Sequence, residues 1–174
     1  GGNEDMAYDL LKRCVVVNED YWKAWVKMAM LSSRRGDVKE AAHEYERVIE
    51  LKPEMGDIYY NLGISYRVLG RYPEAVWAFK KVVEDKPRDI NAWHNVGVTY
   101  LEMGALDKGI EAFHEAMAVD LEHPETHYRL GYAYFLSQDY TRMEKEITFL
   151  KHMHHDYHMV LQLLYDRGRE PVAV

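Results

Sequence analysis

The chain has 174 residues, one ordinary domain's worth, and enough to bury a sizeable core. Its 22 Lys and Arg against 29 Asp and Glu leave a formal charge of −7, which argues against a duplex nucleic-acid footprint built on phosphate neutralisation. The single cysteine, Cys14, excludes an internal disulfide framework or a zinc site of several thiolates, and no apolar run approaches the roughly 18 residues of a bilayer span.

A self-comparison sets the frame for the elements. Residues 57–87 lie over 91–121 without a gap at an offset of 34, which puts Tyr59 on Trp93, Leu62 on Val96 and Gly63 on Gly97. Tyr66 then falls on Tyr100, Gly70 on Gly104 and Phe79 on Phe113. In chain order, residues 1–21 come first, as the second helix of a preceding repeat whose first helix is absent. Ala7, Leu11 and Cys14 form its apolar column, so Cys14 is expected in the core rather than as a nucleophile. Gly1 and Gly2 read as a cloning remnant. Upstream sequence could hold a signal peptide or an anchor, so the compartment stays open, with the cytoplasm slightly favoured.

Repeat 1 (22–55) places Trp25, Met28, Ala29, Gly36, Ala41, Tyr45, Val48 and Pro53 in the columns, with Ser32 where the tyrosine would stand. Repeat 2 (56–89) is the fullest copy and shows why each unit is two helices. Tyr59, Leu62, Gly63 and Tyr66 are three and four apart, Gly70 can end a helix in the left-handed conformation, and Ala75, Phe79 and Val82 resume the pattern. Pro73 fits a first helical turn, and Pro53 and Pro87 close their units. Repeat 3 (90–123) carries Gly109 for the alanine and Leu121 for the closing proline. Repeat 4 (124–151) keeps His127, Leu130, Gly131 and Tyr134 but degenerates to Met143, Ile147 and Leu150 in its second helix. Residues 152–168 do not fit the columns and are expected as a C-terminal capping helix. Met159 and Leu163, with Val160 and Leu164 beside them, are expected to face inward, and Gly168 to end the helix. Residues 169–174 form a tail.

These columns resemble the tetratricopeptide repeat, whose W-x2-L-G-x2-Y…A-x3-F…P pattern is met by residues 59–87 and closely by 25–53 and 93–121. The resemblance implies an all-α, right-handed superhelical solenoid of antiparallel helix pairs, with about ten helices and no sheet.

No P-loop, dinucleotide-binding glycine fingerprint, G-x-S-x-G elbow or H-E-x-x-H motif is present, so neither an enzyme nor a cofactor is expected. The pairs Glu84–Asp85 and Glu144–Glu146 read as solvated surface. His152, His154, His155 and His158 cluster with Asp156, and the four-residue step from His154 to His158 can present two ligands on one helix face. No third ligand or strict motif accompanies them. The cluster is read as a polar face of the capping helix, with a metal-responsive module as a trailing alternative and no metal assigned.

The concave groove is the better candidate site. In the tetratricopeptide family, repeat positions 2, 5, 6, 9, 12 and 13 face inward. Counted from Trp22, Gly56, Ile90 and Pro124, position 6 is Lys27, Asn61, Asn95 and Arg129. Position 9 is Met30, Ile64, Val98 and Tyr132, and position 5 includes Tyr60, His94 and Tyr128. Five basic residues (Lys23, Lys27, Arg34, Arg67, Arg129) face three acidic ones (Asp57, Glu102, Glu125), so the groove is more basic than the chain. Asn61 and Asn95 resemble two rungs of an asparagine ladder, whose amides can pair with any extended backbone. A clamp for a C-terminal carboxylate is not expected, because Val26, Met30, Asn61, Asn91 and Asn95 match its pattern at one position only. The expected function is a non-enzymatic adaptor that holds an extended, acidic or amphipathic protein segment in this groove, without nucleic acid and without inserting into a membrane. The alternative is a scaffold that docks in a larger complex or forms a homo-oligomer through its convex face or open ends.

Overall fold

The computed structural model describes residues 2–168, which form ten α-helices and, among the described residues, no strand. The helices are α1 (Gly2–Val17), α2 (Trp22–Arg35), α3 (Val38–Leu51), α4 (Gly56–Val68), α5 (Tyr72–Asp85), α6 (Ile90–Glu102), α7 (Leu106–Val119), α8 (Pro124–Leu136), α9 (Tyr140–Met153) and α10 (His155–Gly168). First helices begin at residues 22, 56, 90 and 124 and second helices at 38, 72, 106 and 140, so both series advance by the 34 residues of the sequence period. Gly36, Gly70 and Gly104 close the first helices with φ of +80°, +72° and +74°, which a side chain would strain. Gln138 takes the same column in the fourth hairpin at φ +59°. Residues 169–174, the expected tail, lie outside the described residues.

The chain divides into two compact units between Pro87 and Arg88. In the first, α1 to α5, Ala29, Ala41, Val48, Leu62, Ala75 and Phe79 are fully buried. A Cβ on Gly63 would stand 2.7 Å from the Phe79 ring, so the glycine is what lets α4 and α5 approach. Ser32, the departure from the tyrosine column, makes room for a polar contact: its hydroxyl donates to Glu44 at 2.7 Å, and the Tyr8 hydroxyl donates to the same carboxylate at 2.6 Å. Glu44 is buried, and burial pushes its carboxyl above the ordinary range despite these donors. Where the tyrosine is present, the Tyr66 hydroxyl reaches Glu46 at 2.8 Å, and Arg71 joins it at 3.1 Å.

Helix α1 turns a different face inward from the column Ala7, Leu11 and Cys14, and Cys14 is not in the core. Its inward residues are Val15, with Tyr8 and Leu11 packed beside it against Ala24, Met28 and Trp25, and Cys14 is exposed. Tyr8, Leu11 and Val15 are spaced three and four apart, and Cys14 lies off that stripe.

In the second unit, α6 to α10, a Cβ on Gly97 would fall 2.5 Å from Phe113. The fourth hairpin has Ile147 in that aromatic column, and the space above Gly131 is filled instead by Leu161 of α10, 2.4 Å from where a Cβ would be. The expected capping helix thus exists with a different face inward. Leu161 is fully buried, with Tyr157, Leu164 and Tyr165 packed beside it, whereas Met159, Val160 and Leu163 are 44%, 42% and 63% exposed. The reason is the length of one link. Four residues separate α3 from α4 and α7 from α8, but His154 alone separates α9 from α10. The columns therefore continue at an offset of 31, which puts Leu161 in the column of Leu130 and Tyr165 in that of Tyr134.

Candidate functional site

Residues three and four apart on a helix share a face, and in each first helix the buried columns leave the opposite face to positions 2, 6, 9 and 13. In the first unit this outer strip lies on α2 and α4. Lys23, Lys27, Met30 and Arg34 are exposed on α2, as is Asn61 on α4, while Tyr60, Ile64 and Arg67 are half-buried. Met30 is 53% exposed, a large apolar side chain in water beside two lysines. Arg34 is held 3.3 Å from Glu4 of α1, so its charge is partly matched within the protein. Asp57 is matched in the same way by Lys86 at 2.6 Å.

In the second unit the corresponding residues lie on α6 and α8. Asn95, Val98, Tyr128, Arg129 and Tyr132 are half-buried, and Val98, Tyr128 and Tyr132 pack against the core of α7 to α10. Arg129 is paired with Glu125 at 3.1 Å. His94 departs from the expected lining. It is 6% exposed, its Nε2 lies 2.7 Å from the Thr126 hydroxyl, and its ring meets Phe113 edge-on. Burial pushes this imidazole down to about 4, against a smaller opposing effect of Glu125. His94 is a neutral structural residue.

The two asparagines behave alike. Asn61 donates from its amide to the Asp57 carbonyl at 3.4 Å, and Asn95 to the Asn91 carbonyl at 2.8 Å, each one turn back on its own helix. The next turn repeats as well, with Ser65 donating to the Asn61 carbonyl and Thr99 to the Asn95 carbonyl. A back-bond of this kind fixes the side chain along the helix and uses one of the two amide hydrogens. Each amide is thereby held along its own helix.

The histidine cluster does not lie on one helix. His152 lies in the last turn of α9, His154 is the link, and His155 and His158 belong to α10. The His154 ring stacks on Tyr157 at 3.9 Å, and His158 turns Nδ1 to the Ile147 carbonyl at 3.2 Å. His154 and His158, four residues apart, do not share a helix face and make separate contacts. Tyr157 stacks in turn on Tyr128 at 4.7 Å, a ring ladder that the sequence reading missed because it depends on the short link. His127, taken from the sequence only as a repeat-column residue, is the other polar centre of this unit. Its Nδ1 is 2.6 Å from Glu146, its Nε2 is 2.8 Å from the Leu121 carbonyl, and its ring stacks on Phe149.

Comparison with known proteins follows the repeat. A family model described as Tetratricopeptide repeat matches residues 26–90 and 97–142. An uncharacterized protein of Methanocaldococcus jannaschii is 37% identical over 56 residues, which is 32% of this chain, and the match spans 60% of that relative's length. Among solved structures, YrrB, described as a TPR protein with an unusual peptide-binding site, matches with a TM-score of 0.82 at 18% identity over 93% of this chain and 84% of its own. A MamA double mutant from strain RS-1 matches with a TM-score of 0.77 at 21% identity, over 97% of this chain and 88% of its own. At such identities these likenesses concern the fold.

Proposed function

Because the chain belongs to the tetratricopeptide repeat family, a family of protein-interaction adaptors and scaffolds, we propose that it is a non-enzymatic adaptor that holds an extended peptide on the outer strips of its first helices. The observation that carries this reading is the strip on α2 and α4, where Lys27, Met30 and Asn61 stay open to water beside columns that are buried. A lone exposed methionine is ordinary; one on a strip that also carries exposed ammonium and amide groups offers an extended chain an apolar contact and polar partners together. On each unit's own strip an amide receives the peptide backbone, Asn61 in the first unit and Asn95 in the second; in the first unit Lys23 and Lys27 favour an acidic or amphipathic segment, and Met30 and Ile64 contact its side chains. YrrB, alike in fold, is described as having a peptide-binding site, which is a precedent for such use of the fold. Ordering a flexible peptide opposes binding, so the affinity is micromolar in scale.

The test is Asn61→Ala with Asn95→Ala, measured against an acidic peptide selected on the wild-type protein. Two net hydrogen bonds of about 0.5–1.5 kcal/mol each predict a loss of about fivefold or more, with helicity and oligomeric state unchanged. Binding left intact by the double substitution rejects the reading.

A further inference from the structure

The strip on α2 and α4 contains one side chain whose polarity can change in place. Position 9 of the four first helices is filled by Met30, Ile64, Val98 and Tyr132, and only Met30 carries sulfur. Met30 is 53% exposed, whereas Met28, on another face of the same helix, is 3% exposed and Met143 is fully buried. Met6, Met103, Met153 and Met159 are exposed too, but none of them occupies a strip position. Access to the sulfur decides which methionines oxidise.

The neighbours of Met30 make such a change felt. A thioether is a weak acceptor and an apolar contact, while its sulfoxide is polar and a strong acceptor. Lys27 lies three residues back and Arg34 four residues on, so both share the face of Met30. Arg34 is engaged with Glu4 at 3.3 Å, but Lys27 is in no ion pair among the described residues. A sulfoxide oxygen at position 30 thus has the Lys27 ammonium within one turn as a donor. Oxidation removes the apolar contact for the peptide and draws off a cation that favours its acidic groups.

We propose that Met30 is a redox-sensitive modification site, at which oxidation of the sulfur by a hydroperoxide weakens the hold of this strip on its peptide. The inference rests on the peptide-binding reading above. In the step itself, the thioether lone pair attacks the terminal peroxide oxygen, and the S–O bond forms as the O–O bond breaks. The proton of the transferred oxygen passes to the leaving oxygen. Sulfur gives up two electrons, and the hydroperoxide is reduced to water or an alcohol.

The test treats the wild-type chain and Met30→Leu with the same dose of hydrogen peroxide and maps the sulfoxides by mass spectrometry. Each protein is titrated, before and after treatment, with the acidic peptide selected on the wild type, chosen free of Met and Cys. The expected result is a sulfoxide at Met30 with Met28 and Met143 unmodified, and a loss of about fivefold or more in wild-type affinity. Met30→Leu, whatever its starting affinity, changes by less than about twofold on treatment, and circular dichroism is unchanged in both. A wild-type protein that carries Met30 sulfoxide and binds as before overturns the proposal. So does a Met30→Leu variant that loses as much on treatment, or a Met30 that stays reduced while Met6 and Met159 oxidise. Binding that survives Asn61→Ala with Asn95→Ala overturns the peptide reading and this proposal together. Binding lost there but indifferent to the sulfoxide overturns this proposal alone.

Discussion

Leu161 is the residue on which the second unit's end depends, and its truncation gives a prediction that can be worked through. The side chain is fully buried, and its Cδ1 lies 2.4 Å from the place a Cβ on Gly131 would occupy. Leu161→Ala removes three carbons, worth about 2.4 kcal/mol at roughly 0.8 per buried methylene. The gap left against α8 brings the total to about 3 kcal/mol, within the usual 2–5 for such a change. In a chain of this size that lowers the Tm by about 6–12 °C, readable by circular dichroism melting. Gly131→Ala alone also destabilises, because the new methyl collides with Leu161. In the double variant the methyl enters the space Leu161 has left, where the Glu146 Cβ stands at an ordinary 3.4 Å. The two substitutions should therefore be non-additive by at least about 1 kcal/mol, the double variant being more stable than the sum predicts. Additive losses, or a Leu161→Ala cost under about 1 kcal/mol, would refute the packing described for α10.

Two histidines of the second unit respond oppositely to pH. Burial alone would lower the His127 imidazole, but the Glu146 carboxylate and the Leu121 carbonyl outweigh it and hold it above its usual 6.5. The stability that Glu146 adds is then fully present below pH 6.5 and is lost as pH rises through the folded-state value. Wild type should exceed Glu146→Gln most at acidic pH in urea melts, and a gap that widens with alkalinity contradicts this. His94, held at about 4, keeps its folded form neutral while the unfolded chain takes up a proton below 6.5. Stability should thus fall between pH 6.5 and 4, and His94→Gln should flatten that slope; an unchanged slope assigns the acid sensitivity to other groups.

The hairpin series was legible because its columns are covalently in phase: with every repeat at 34 residues, Gly63, Gly97 and Phe113 could be placed before any coordinates. The second half of α10 was hidden by a three-residue shortening at His154, which moved Leu161 and Tyr165 out of the expected register and made Met159 and Leu163 look like the inward face. Cys14 misled for a related reason. It occupies a column buried in α3, but the apolar packing of α1 on α2 runs through Tyr8, Leu11 and Val15. His94 stood in a lining column, yet its environment depends on Thr126 and Phe113, contacts that no spacing within α6 encodes. The Ser32–Glu44–Tyr8 contact was likewise invisible, since it joins side chains of three helices whose meeting no spacing within one helix encodes.

Hydrogen exchange on the wild-type chain, with and without a saturating acidic peptide, measures most directly where an extended segment sits. The account predicts added protection concentrated on α2 and α4, around Lys27, Met30 and Asn61, with a weaker counterpart around Asn95 on α6. Protection confined to the second helices α3, α5, α7 and α9, with those strips unchanged, would contradict it.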